Sequence, residues 1–150
     1  MANFSRRETL MAGAGLATVA MLPISWAQAN QSLVDKALAE FTGGKDGVEG
    51  KISLEMPEIA ENGNTVPLTV SVDSPMDDGD YVSSVLVLAT GNPTPGVVTF
   101  HFTPLSGEAS ATTRMRLGKT QDVLAIAKTS KGEVYKTATT VKVTIGGCGG

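Results

Sequence analysis

The feature that most constrains this fold is an alternation of apolar and polar residues that recurs along most of the chain. Side chains of a β-strand point to opposite faces in turn, so a period of two indicates a strand with one buried face. Alternating or continuous apolar residues predict strands over residues 51–56, 66–72, 81–90, 98–102, 111–117, 123–128 and 134–145.

Three of these segments carry further information. Residues 81–90 are almost continuously apolar, which indicates a central strand covered on both faces. Pro67 lacks a backbone N–H, so its segment is expected to be an edge strand or to contain a bulge. In the last segment, alternate residues from Tyr135 to Ile145 are expected to face the core, with a partner subunit on a sheet face or edge as the alternative.

Turn-forming residues separate the predicted strands. They include Ser74-Pro75, Asp78-Gly79, the Gly- and Pro-rich segment 91–96, and Lys131-Gly132. Regularly spaced strands with turns between them predict an all-β fold, an immunoglobulin-like antiparallel β-sandwich. The Cys–Trp–Cys signature of true immunoglobulin domains is missing, so the prediction concerns architecture alone. A length of 150 residues allows one ordinary domain.

One short N-terminal helix is predicted between Ser32 and Phe41. Ser32 followed by Asp35 resembles a capping box, and Gly43-Gly44 is a helix stop. The helix has an apolar stripe that is expected to pack on the domain, formed by Leu33, Val34, Ala37, Leu38 and Phe41.

The first 29 residues have the pattern of an export signal. Arg6 and Arg7 form a twin-arginine motif, a weakly hydrophobic run extends from Leu10 to Trp26, and Ala27-Gln28-Ala29 is an A-x-A cleavage site. The run is too short and too rich in Gly and Ala for the roughly 20 apolar residues of a membrane anchor. We therefore expect twin-arginine export to the periplasm and no membrane attachment after cleavage.

Charge and composition exclude several functions. The chain has 12 Lys+Arg and 15 Asp+Glu, a net charge of −3, which gives no support to nucleic-acid binding. Its single Cys and single His cannot build a structural zinc site, and one Cys cannot close an internal disulfide. No cofactor is predicted.

The last five residues place the only Cys between glycines: Gly146, Gly147, Cys148, Gly149 and Gly150. A Gly-rich segment is flexible and unhindered, so residues 146–150 are predicted to form a swinging arm beyond a sandwich domain of residues 30–145. Cys148 has no side-chain base beside it in sequence, which suits a covalent attachment point better than a catalyst. A prenylation box would need three residues after the Cys, and an accidental terminal Cys conflicts with the usual avoidance of exposed thiols.

Other polar candidates have simpler interpretations. His101 lies on the polar side of its strand without a nucleophile motif, and is interpreted as a surface histidine. The acidic segment 73–80 lacks the spacing of a calcium loop and is interpreted as a solvated turn. Arg114 and Arg116 could hold an anion but are interpreted as surface charges.

Two motifs give the chain a family resemblance. They are the terminal Gly146–Gly150 segment and Pro57-Glu58-Ile59-Ala60-Glu61-Asn62-Gly63, which leads into Val66-Pro67. With these motifs and the signal, in which only Thr9 departs from the usual pattern, the chain resembles the SoxY family of sulfur-oxidation carrier subunits. The resemblance implies that Cys148 binds sulfur intermediates of thiosulfate oxidation covalently and that the protein is a carrier, not an enzyme.

The resemblance also implies partners. These are a SoxZ-like subunit, in a heterodimer or heterotetramer, and three enzymes that dock transiently: a haem enzyme that couples thiosulfate to the thiol, a manganese hydrolase that releases sulfate, and a sulfane dehydrogenase. The alternative is an exported binding or structural module that uses Cys148 only for an intermolecular disulfide.

Overall fold

Two sheets that face each other account for most of the chain. The protein is described by a computed structural model that covers residues 26–147, with the side chains of the helix described from Asn30 onward. Its helix and strands are α1 (Trp26–Thr42), β1 (Val48–Glu49), β2 (Ile52–Glu55), β3 (Ile59–Ala60), β4 (Val66–Val72), β5 (Val82–Ala89), β6 (Gly96–His101), β7 (Ala109–Met115), β8 (Gln121–Thr129) and β9 (Val134–Val143).

The larger sheet has six strands and the smaller has three. The larger runs in the order β1-β9-β8-β5-β6, with β3 also paired to β9, and the smaller in the order β2-β4-β7. All neighbours are antiparallel except β1 and β3, which run parallel to β9. The all-β sandwich and its seven predicted strands are therefore confirmed.

The main core lies between the two sheets. It is built from the alternate residues that the period of two places inward, so each strand contributes one apolar row. Its fully buried members include Val66, Leu68 and Val70 of the smaller sheet and Val85, Val87, Val123, Ala125 and Val141 of the larger.

A second core lies on the outer face of the larger sheet, where α1 packs. Val34 is only 1% exposed and packs with Leu88 of β5 and Ile126 of β8. Leu33, at the edge of the predicted stripe, is exposed instead. Strand β5 is thus covered by the sandwich on one face and by the helix on the other, which explains its nearly continuous apolar sequence.

The helix begins earlier than the sequence predicts. It starts at Trp26, so Ser32 lies inside it and does not cap it, while Asp35 accepts a hydrogen bond from Gln31 at 2.9 Å. Residues 26–31 contain neither Gly nor Pro, so nothing there stops a helix. The end is as predicted, because Gly43 and Gly44 adopt φ values of 67° and 81° that continue no right-handed helix.

Only the end of the predicted export signal lies within the described residues. The predicted cleavage site, Ala27 to Ala29, falls in its first turn, and Arg6 and Arg7 lie outside the described residues. Within residues 26–147, no helix combines the length and the apolar character that a bilayer crossing requires.

The prediction that Pro67 marks an edge strand or a bulge is wrong. Strand β4 is the middle strand of the smaller sheet, and its pairing with β7 is regular at Pro67, which lies opposite Arg114. Strand β2 pairs only with residues 69–72 of β4. At Pro67 the strand therefore has a neighbour on one side only, which accommodates a residue without an N–H.

Two leucines, one buried beneath α1 and one exposed, test the packing of the helix on the sheet. We expect Leu88→Ala to lower the free energy of unfolding by about 2–5 kcal/mol, because it removes a fully buried side chain beneath α1. Leu105→Ala is the matched control, since Leu105 is 98% exposed and should change stability by less than about 0.5 kcal/mol. Urea denaturation measures both, and similar losses for the two variants would contradict this packing.

Candidate functional site

The site is the point at which the C-terminal tail leaves the sandwich. Strand β9 ends at Val143, and Ile145 is exposed, so the predicted inward row stops before Ile145. Gly146 and Gly147 are described, whereas Cys148, Gly149 and Gly150 lie outside the described residues. The structure thus shows the base of the predicted arm and what holds it.

The segment Pro57–Gly63 lies beside the end of β9 and follows it towards the tail. Its strand β3 pairs with β9 in parallel, and the Thr144 N–H donates to the Ala60 carbonyl at 3.1 Å. Beyond the strands the pairing continues, because the Gly63 N–H donates to the Ile145 carbonyl at 2.8 Å. The two motifs that give the family resemblance are therefore neighbours in space.

Backbone hydrogen bonds then connect three separate segments. The Leu117 N–H donates to the Gly63 carbonyl at 2.8 Å, and the Gly147 N–H donates to the Leu117 carbonyl at 3.0 Å. We call these backbone groups of Gly63, Leu117, Ile145 and Gly147 the glycine clamp. Because Gly147 is buried and hydrogen bonded, the base of the predicted arm is anchored to the sandwich.

The clamp brings backbones closer than side chains would allow. A Cβ at Gly63 would overlap the Leu117 carbonyl oxygen, and a Cβ at Gly147 would lie 2.8 Å from the Gly63 carbonyl oxygen. A Cβ at Gly146 would overlap the carbonyl oxygen of Gly118. These glycines are needed for close approach, independently of any flexibility.

A buried amide pair fixes the loop on which Leu117 lies. Asn92 is 3% exposed, and its Oδ1 accepts from the Gly118 N–H at 3.0 Å while its Nδ2 donates to the Arg116 carbonyl at 2.8 Å. Gln121 donates from Nε2 to Asn92 Oδ1 at 2.8 Å. Both polar atoms of the Asn92 side-chain amide, Oδ1 and Nδ2, therefore have hydrogen-bond partners near the clamp.

Two lysines with raised pKa values lie at the other end of the larger sheet. The pKa of Lys51 is raised by its interaction with Tyr135 at the start of β9, and the pKa of Lys131 is raised by its hydrogen bond to Asp80 at 2.8 Å. Tyr135 lies at the start of β9 and Lys131 lies in the turn before it, whereas the clamp lies beyond the other end of β9.

The remaining sequence candidates do not converge on the clamp. His101 is exposed at the end of β6, opposite Ser84, as the sequence predicts. Asp80 pairs with Lys131, and the side chains of Arg114 and Arg116 are exposed. Within residues 26–147, no group of three or more His, Cys, Asp or Glu side chains is placed to hold a metal ion.

Comparison with known proteins identifies the family of the chain. Residues 38–148 match the family described as sulfur oxidation protein SoxY. The solved structure of the sulfur carrier protein SoxY from Chlorobium limicola f thiosulfatophilum is 31% identical, covers 77% of this chain and 99% of its own, and has a TM-score of 0.64. No curated protein shows a significant sequence match.

More distant structures share the sandwich alone. The superoxide reductase (neelaredoxin) from Ignicoccus hospitalis is 19% identical over 63% of this chain and 80% of its own, with a TM-score of 0.56. The superoxide reductase from Nanoarchaeum equitans is 15% identical over 61% of this chain and 91% of its own, with a TM-score of 0.52. At these identities the likeness concerns the fold and says nothing of chemistry.

The fold and the site together define a class. It is a β-sandwich whose last strand passes through a glycine clamp into a short tail with the only Cys of the chain. With the family match over most of its length, this chain belongs to the SoxY family.

Sequence reasoning missed several residues of this site. The sequence marks Gly63 only as part of a motif, and Asn92 only as part of a turn-forming segment. It marks Leu117 only as the end of a predicted strand, and it does not mark Gln121. An Asn next to a Gly is an ordinary turn signal, and only the burial of its side chain reveals a further role.

Two glycines next to Leu117 test the close packing. Gly63 is hydrogen bonded to Leu117, and Gly118 follows it in sequence. We expect Gly63→Ala to lower the free energy of unfolding by about 2 kcal/mol or more, because its Cβ overlaps backbone that cannot move without breaking the clamp. Gly118→Ala is the matched control, since the nearest atom to its Cβ is Asn92 Oδ1 at 3.7 Å, and we expect a change within about 1 kcal/mol. Urea denaturation measures both, and equal effects would contradict the clamp.

Proposed function

We propose that this protein binds sulfur intermediates of thiosulfate oxidation covalently on Cys148 and presents them to the enzymes that transform them. The observation that carries the proposal is the clamp itself, which ends at Gly147, the residue before the only Cys of the chain. Membership of the SoxY family supports it, as does the likeness to a solved protein described as a sulfur carrier.

The first step attaches thiosulfate to the thiol. An S–S bond forms between Cys148 Sγ and the terminal sulfur of thiosulfate, the thiol proton is released, and two electrons pass to the haem enzyme that couples them. The product is a cysteine S-thiosulfonate. Water then cleaves the bond between the two sulfurs of the thiosulfate unit in the manganese hydrolase, which releases sulfate and leaves a persulfide on Cys148. The sulfane dehydrogenase then accepts six electrons as that outer sulfur is oxidised to a sulfonate, with three water molecules supplying the oxygen atoms and six protons released. Hydrolysis of the resulting cysteine S-sulfonate releases sulfate and restores the thiol of Cys148.

The sequence of the tail suits a carrier whose cargo is transformed by separate enzymes. In sequence, Cys148 has two glycines on each side, so these neighbours supply no acid or base. Catalytic groups therefore come from the enzymes that receive the tail. Gly149 and Gly150 have no side chains to obstruct a narrow channel, and the clamp fixes the point from which the tail extends.

We propose a SoxZ-like subunit as the stable partner, in a heterodimer or heterotetramer. We also propose that Arg6 and Arg7 direct export of the folded protein to the periplasm by the twin-arginine route. This route moves folded cargo, so a partner without a signal of its own can be exported with the chain.

The attachment site is tested by intact-mass measurement. Protein isolated from cells supplied with thiosulfate should show added masses that correspond to sulfur and sulfonate groups and that a thiol reductant removes. Cys148→Ser should show none of them, while retaining the fold and the partner, because the change replaces only the sulfur atom. A wild-type chain found only unmodified or as a disulfide-linked dimer would contradict the carrier function and favour the structural module.

The export route is tested separately. Replacing Arg6 and Arg7 by Lys should retain the uncleaved chain in the cytoplasm, because the twin-arginine pair is the recognition signal. Cell fractionation measures the distribution of the chain and of its partner. Mature protein in the periplasm of this variant would contradict twin-arginine export.

A further inference from the structure

Asn92 has a buried side-chain amide although it lies in a loop and not in a strand of either sheet. Asn92 lies after β5, in the turn-forming segment that leads to β6, at the same end of the molecule as the clamp. Most turn residues expose their side chains, yet this one is 3% exposed and makes three side-chain hydrogen bonds. A buried polar side chain with all its partners in place usually fixes a particular local geometry.

That geometry is centred on Leu117. Asn92 bonds the residue before it, through the Arg116 carbonyl, and the residue after it, through the Gly118 N–H. Leu117 itself anchors its side chain in the core, where it is fully buried. Its backbone N–H and carbonyl are thereby left to the clamp, where they bind Gly63 and Gly147.

The orientation of the amide is itself fixed. Nδ2 can only donate, and it faces a carbonyl, while Oδ1 can only accept, and it faces the Gly118 N–H and Gln121 Nε2. Gln121 is held in turn, since its Oε1 accepts from the Gly91 N–H at 2.7 Å and its Nε2 also donates to the Lys119 carbonyl at 3.1 Å. A rotated amide would place like groups against each other at both ends.

We infer that Asn92 is a positioning residue for the tail: by holding Leu117 in place, it fixes Gly147 and thus the point at which the chain bearing Cys148 leaves the sandwich. This inference rests on the proposed carrier function for its purpose, but the contact it describes exists without any sulfur compound. Loss of the amide would free the 116–118 loop and deprive Gly147 of its acceptor, so Gly147 would no longer be held by the clamp.

Amide hydrogen exchange of the full chain, followed by NMR without sulfur compounds, tests the contact directly. In Asn92→Ala, exchange of the Gly147 N–H should be faster than in the wild type by about tenfold or more, the ratio expected when a buried hydrogen-bonded group loses its support. The Val87 N–H of the central strand β5 reports global unfolding and should be accelerated by no more than the same factor, because unfolding also breaks the bonds of Asn92.

Thr129→Val is the matched control. Thr129 is also buried, and its Oγ1 accepts a hydrogen bond from the Glu133 N–H at 3.1 Å, but at the opposite end of β8 from Gln121. Its loss should accelerate Val87 exchange, which requires unfolding, and leave Gly147 exchange unchanged, because opening of the clamp does not break the contact between Thr129 and Glu133. If Asn92→Ala does not fold, Asn92→Asp gives the same comparison, since it retains the acceptor oxygen and loses only the donor to Arg116.

Two results would overturn the inference: unchanged exchange at Gly147 in the Asn92 variant, or equal acceleration of Gly147 exchange in Thr129→Val, which would make the response of Gly147 one of general stability. A loading assay with the haem coupling enzyme separates this inference from the proposed function. If wild-type Cys148 takes up sulfur while the Asn92 variant shows normal Gly147 exchange, the inference fails and the carrier function stands. If wild-type Cys148 takes up none, the carrier function fails, and the exchange result still decides the inference.

Discussion

The site depends on one constraint, the approach of three backbone segments so closely that there is no room for a Cβ at Gly63. The Gly63 N–H and carbonyl bind Ile145 and Leu117 on its two sides, and Leu117 in turn accepts from Gly147. A methyl group at Gly63 would occupy the position of the Leu117 carbonyl oxygen. Backbone-to-backbone bonds carry no side-chain rotamer freedom, so they fix the base of the tail with little further loss of entropy on ordering.

The sandwich places these three segments together. Strand β9 brings the tail to one end of the larger sheet, and the short parallel strand β3 carries residues 57–63 along its flank. Strand β7 of the smaller sheet delivers Leu117, whose side chain enters the main core. The clamp therefore closes one end of the sandwich across both sheets, and the amide of Asn92 holds the loop between β7 and β8 in register with it.

The sequence predicts the long strands because alternation over five or more residues is a strong signal, and it predicts the two faces of β5 from its continuous apolar run. It does not predict β1 or β3, since two residues cannot display a period, nor their parallel pairing. The prediction from Pro67 is wrong because only one end of β4 lacks a second neighbour. Strand β2 pairs with residues 69–72 and does not extend to Pro67. The chemistry of Cys148 is suggested by its neighbours in sequence, whereas the bonds of the clamp join residues that are 30 to 82 positions apart. Such contacts leave no periodic trace in the sequence.

The most direct test of this account is NMR detection of scalar coupling across the hydrogen bonds of the clamp in the wild-type chain. The account predicts couplings from the Gly147 nitrogen to the Leu117 carbonyl carbon, from Leu117 to Gly63, and from Gly63 to Ile145, with the strand pairs of β5 and β8 as internal reference. If the reference couplings appear and the three clamp couplings do not, the base of the tail is not held as described, and the central claim is contradicted.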